Sequence, residues 1–156
     1  MPEKKTIERA RRARQEGKAP STQAGEFVRE EMEHIREGKH GARSPQQAIA
    51  IGLSKARRAG VDLPPPKKGT TSEATRKRAE RDYEIGHGAK KQSKPSAKRS
   101  QARLEALQRE PRSSASRTAL SKQAKSAAAR RKARGTTTIP QSSSPRRTAS
   151  KKRSRR

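Results

Sequence analysis

The sequence predicts an all-α protein: a small helical hairpin, extended to three short helices at most, flanked by long disordered basic arms. Three observations lead there. Only residues 21–66 combine apolar positions spaced three to four apart with helix caps and a proline stop. Leu, Ile, Val and Phe together number 14, about 9% of 156 residues, under the roughly 20% below which a highly charged chain tends to disorder. Finally, 42 Lys and Arg face 15 Asp and Glu, a net charge of +27 that attracts polyanions and opposes self-compaction.

Residues 1–20 form the first basic arm. "EKKTIERARRARQEG" (3–17) predicts a short charged helix in which Ile7 is the single large apolar residue, so we expect it to bury nothing and to break at Pro20. The hairpin core, 21–66, follows. Ser21 or Thr22 caps a helix running to about Glu37, with Ala24, Phe27, Val28, Met32 and Ile35 on one stripe opposite Glu30, Glu33 and Glu37. Gly38 and Gly41 flank Lys39-His40 in the turn. Ser44-Pro45-Gln46-Gln47 then opens a second helix with an N-cap, a proline at the first helical position and a capping-box glutamine. Ala48, Ile49, Gly52, Leu53 and Ala56 line its apolar face. Ala48, Gly52 and Ala56, four apart, make a shallow groove for close helix packing or for a homodimer through the hairpin. Gly60 suits a left-handed exit, Val61 supplies the accompanying apolar contact, and Pro64–Pro66 forbid continuation.

Residues 67–111 read as a basic linker with short helices. Ser72 caps one that runs to about Ile85, with Ala79 and Tyr83 able to dock on the hairpin. A second spans about 96–110, carries Leu104 and Leu107, and ends at Pro111. "EGKHGARS" (37–44) and "EIGHGAKKQS" (84–93) echo each other as a repeated helix exit. Residues 112–156, rich in Ser, Ala, Lys and Arg, are expected to be a disordered tail, with 114–134 becoming helical when its cations are neutralised.

Chemistry has few candidates. With no Cys, disulfides, thiolate metal sites and cysteine nucleophiles are excluded. His34 and Glu30 lie four apart on one helix, but a metal site needs three or four convergent ligands, so no metal and no cofactor are expected. His40 and His87 sit in glycine turns, facing water or touching a phosphate. No phosphate loop and no nucleophile–base pattern occur, so an enzyme is not expected. The N-terminal stretch lacks a signal-like apolar run and no segment approaches about 18 apolar residues, which predicts a soluble, cytoplasmic protein with no membrane partner.

Charge points to nucleic acid. Residues 1–60 carry 14 basic and 8 acidic side chains, whereas after Glu110 there are 15 basic residues and no acid. Such a chain can follow a phosphate backbone with little sequence preference. The expected DNA contacts are Lys55, Arg57 and Arg58 on the hairpin, and Arg130, Arg131, Lys132, Arg134, Arg146, Arg147, Lys151, Lys152 and Arg153 in the tail. The same electrostatics permit RNA or the ribosome as partner. A third possibility is a protein-interaction adaptor that binds an acidic or helical partner through residues 21–66. "SPRRTAS" is a candidate phosphate acceptor that would lower the tail's charge.

The passage "GEFVREEMEHIREGKHGARSPQQAIAIGLSKARRAGVDLPPPKKG" (25–69) resembles a family of small basic bacterial proteins that carry a domain of unknown function and are loosely labelled DNA-binding or plasmid-stabilisation proteins. The resemblance implies a bacterial, cytoplasmic protein; the excess of positive charge is what makes a nucleoid-associated DNA-binding protein the leading expectation. The tail is similar in composition to those of histone-like proteins.

Overall fold

The computed structural model describes residues 2–91, 96–133 and 135. Its helices are α1 (Lys4–Gln15), α2 (Pro20–Glu37), α3 (Pro45–Arg58), α4 (Glu73–Gly86), α5 (Ala97–Gln108) and α6 (Arg117–Ala133), with a single 3-10 turn at Arg112–Ala115 before α6. The chain is all-α across these residues, but the hairpin is not its whole body. α1 packs on α2, α4 packs on α3, and the 3-10 turn sits against both α2 and α3.

The α2–α3 hairpin is the centre, and its spacing explains it. α2 splits its stripe between two cores. Ala24 and Phe27 join Ala10, Ala56 and Val61, with Ile7, Leu53 and Leu63 packed against them. Met32 and Ile35 join Ala42, Ala48 and Ala115, with Val28, Ile49 and Leu120 alongside. The cores meet where α3 crosses α2 at Gly52. A β-carbon there would lie 2.7 Å from Val28 Cα and 2.9 Å from its N. The groove of Ala48, Gly52 and Ala56 is therefore filled by α2 of the same chain and is no longer a free dimerisation surface. Gly52→Val is expected to lose about 1–3 kcal/mol through overpacking, read as a lower urea midpoint.

The ends of α3 follow the sequence closely. Ser44 Oγ accepts from Gln47 N–H, while the Gln47 side chain accepts from Arg43 N–H. At the other end Gly60 takes φ 83°, Val61 N donates to Ala56 O and Gly60 N to Arg57 O. This is the paired hydrogen bonding of a left-handed helix exit, and Val61 is buried beneath it.

Four expectations need correction. α1 is not a marginal arm: Thr6, Ala10 and Ala13 are buried, because small side chains let a cationic helix approach closely. Pro20 opens α2 rather than ending α1, occupying the first turn where its missing N–H is not needed. Glu30 and Glu31 are buried at 3% and 1% exposure, so α2 is not simply apolar on one side and acidic on the other. Residues 112–133 are not a disordered tail. Ala115 is fully buried, Arg36 Nε donates 3.1 Å to its carbonyl, and Arg112 lies over Gly38 at the carbonyl end of α2, where a cation is favoured. The two echoed segments both leave helices, but through different glycines: Gly38 and Gly88 take positive φ, whereas Gly41 lies against the Glu110 carbonyl.

Candidate functional site

Lys55, Arg57 and Arg58 occupy the last turn of α3, where the helix carbonyls draw cations. The structure gives all three partners within the chain, with Lys55 and Arg57 largely covered and Arg58 still exposed. Lys55 Nζ lies 2.6 Å from Glu31 Oε2 and 3.6 Å from Glu30 Oε1. Arg57, 8% exposed, donates through Nε to Leu63 O at 3.1 Å and through Nη2 to Pro64 O at 3.5 Å, tying the proline stretch to the helix. Burial pulls its guanidinium below the usual range, against the opposing pull of Asp82. Arg58 Nε donates 2.7 Å to Asp82 Oδ1, and Ser54 Oγ donates to the other oxygen. Lys55 and Arg58 thus face buried acids and Arg57 faces backbone carbonyls, partners inside the chain for residues expected to contact phosphate. That was not legible locally, because the acids come from α2 and α4.

The opposite holds in α6. Arg117, Lys122, Lys125, Arg130, Arg131 and Lys132 are all exposed on a 17-residue helix with no acidic residue. Leu120, near its start, packs on the second core, and the helix then runs on for much of its roughly 25 Å. Of the expected tail contacts the structure places Arg130, Arg131 and Lys132; Arg134, Arg146, Arg147, Lys151, Lys152 and Arg153 lie outside the described residues. Ion pairing sharpens the contrast. Every ion pair among the described residues joins groups between Glu3 and Lys90.

Sequence inspection missed a polar cluster at the α2–α3 turn. His40 Nε2 lies 2.9 Å from Glu31 Oε1, and His34 Nε2 lies 2.9 Å from Glu3 Oε1. Glu3 N–H donates to Glu30, and Lys39 Nζ sits 3.4 Å from Glu3. The bonds from His34 and then Lys39 hold the Glu3 carboxyl below its ordinary range. The available signal was Glu31-x-x-His34, three apart and hence on one helix face, rather than Glu30 and His34.

His87 lies elsewhere, stacked on Tyr83 at 3.9 Å between ring centres. Tyr83 Oη donates 2.6 Å to Asp62, which raises the phenol above its ordinary range, mainly through that bond and further through desolvation. A raised folded value means this contact stabilises fully below the unfolded phenol pKa and is lost as pH rises through the folded one. Tyr83 is the only tyrosine, so an ultraviolet phenolate titration reads it directly. We expect Asp62→Asn to bring the midpoint down.

The deciding comparison concerns the N-terminal part of the body. Residues 3–68 match a family of unknown function (DUF6496). No curated protein and no solved structure matches the chain. The DUF6496 match takes in α1, α2, α3 and the proline stretch tied down by Arg57, so it begins earlier than the resemblance seen over 25–69. Cores one and two each draw most of their residues from this span, whereas α4 and α6 lie beyond it. No helix among the described residues is long and apolar enough to cross a membrane.

Proposed function

We propose that this chain is a non-enzymatic, largely sequence-independent DNA-binding protein of the nucleoid-associated, histone-like kind, acting in the bacterial cytoplasm. The observation that carries it is the segregation of charge. Every carboxylate that pairs with a base among the described residues lies between Glu3 and Glu84, so part of the cationic charge of the α1–α4 body is offset. In contrast, α6 presents six exposed cations without a carboxylate on the same helix. A polycation of that form gains affinity by releasing counterions condensed on phosphates. It needs no aromatic platform, and Phe27 is buried in the core while Tyr83 is engaged by Asp62 and His87. The body orients the arm, and the arm holds the backbone.

The test is binding of the full chain to duplex DNA of unrelated sequences across a salt series. We expect affinities that differ little between sequences and fall steeply and linearly on logarithmic axes. Absence of binding at low ionic strength overturns the proposal. Structured RNA in competition distinguishes the alternative partner: preference for RNA would move the assignment to an RNA- or ribosome-associated protein.

A further inference from the structure

We infer that Glu31, His34 and His40 form a binding site for one divalent transition-metal ion, with zinc the best match. One donor atom from each lies within 4.8 Å of the other two. Zinc holds nitrogen and oxygen donors at about 2.0–2.2 Å, so ligands around it stand roughly 3–3.5 Å apart. The His40–Glu31 pair is already at 2.9 Å, and the His34 donor lies within 4.8 Å of both. Two imidazoles and one carboxylate suit zinc or its neighbours, whereas magnesium and calcium prefer oxygen alone.

Tautomer chemistry makes the case stronger than proximity does. His40 Nδ1 lies 3.1 Å from Gly41 O. A carbonyl can only accept, so Nδ1 carries the proton, and in neutral imidazole Nε2 is a bare lone pair. That lone pair faces a carboxylate oxygen of Glu31, an acceptor against an acceptor, which is repulsive unless the ring takes a second proton or a metal cation lies between. A metal-bound histidine characteristically donates its second nitrogen to a backbone carbonyl or a carboxylate. His40 has the carbonyl of Gly41. His34 has the carboxylate of Glu3, and donation from Nε2–H leaves Nδ1 as its ligating atom.

Charge agrees. Glu3, Glu30 and Glu31 converge here, and Lys39 and Lys55 are the cations paired with them. Lys39 is shared with Glu37, 3.0 Å away, so with neutral imidazoles four carboxylates face two ammonium groups and two negative charges are left over. Glu31 is only 2% exposed at its side chain, and His34 and His40 only 14% and 12%. Burial at this level makes an uncompensated charge costly. An ion would join α2 to the α2–α3 turn and, through Glu3, to the start of α1.

The test uses full-length protein stripped with a chelator and titrated with Zn²⁺ by calorimetry and with Co²⁺ by visible absorption. We expect one equivalent per chain and ligand-field bands of a low-coordinate Co²⁺ site. His34→Gln and His40→Gln should each weaken binding by more than the roughly 100-fold that marks the upper range for losing an outer-shell partner; His87→Gln should leave it unchanged. In unsubstituted protein, zinc should shift the ring resonances of His34 and His40 but not His87, which keeps the test independent of whether variants fold. Binding that is equal in all three variants, or absent, overturns the site. So does a His40 ring that stays an imidazolium paired with Glu31 when zinc is added.

Discussion

Lys55→Met is expected to destabilise the protein by about 3 kcal/mol, the lower end of the 3–5 kcal/mol typical of breaking a buried ion pair. The lower end applies because Lys55 itself is 22% exposed, whereas Glu31 and Glu30 are 2% and 3%. Removing the ammonium leaves two buried carboxylates with less compensation, and a methionine of similar length fills the space without replacing the charge. Thermal unfolding in chelator-containing buffer should show a drop on the order of 10 °C. The folded variant should bind DNA as the parent does, because Lys55 faces inward. A variant of unchanged stability and reduced DNA affinity would instead return Lys55 to the phosphate contacts expected from sequence.

The second large effect is the converse. Arg130, Arg131 and Lys132 replaced together by Gln should leave the thermal midpoint near its parent value. All three are exposed and have no ion-pair partner among the described residues, and Gln is a comparable helix former. Their loss should lower the logarithmic salt slope by up to about 2.7, near 0.9 for each phosphate no longer neutralised, and weaken binding several hundredfold at about 0.1 M salt. Fluorescence anisotropy across a salt series measures both. An unchanged slope would mean that α6 does not contact phosphate. Substitution is a cleaner probe than deleting residues 112–156, since deletion also removes buried Ala115 and the Arg112 contact with the end of α2.

Much of the fold was legible because its signals are local. Ser44, Pro45, Gly60 and Val61 act within one turn of their own helix, and a cap needs only its neighbours. The stripe of Phe27, Val28, Met32 and Ile35 was equally plain from spacing. What stayed hidden depends on partners far along the chain. Ala10 and Ala13 look unremarkable among arginines until α2 covers them. Arg112 and Ala115 look like part of a disordered tail until Gly38 and Arg36 receive them. Of the Glu31–His34–His40 cluster, helical spacing marked only His34, and that beside Glu30; His40 lies across a turn whose path no local pattern specifies.

By itself, the sequence determined the helical class, the hairpin with its caps and exits, and the excess of positive charge, since propensity, spacing and net charge depend only on residue order. Tertiary structure alone decided how that charge is used. Packing buries the acids of α2 and α4 beside Lys55 and Arg58, and leaves the cations of α6 facing water. Identical side chains thus become internal counter-ions in one helix and an exposed polycation in another, because desolvation penalises an unpaired charge only where water has been excluded.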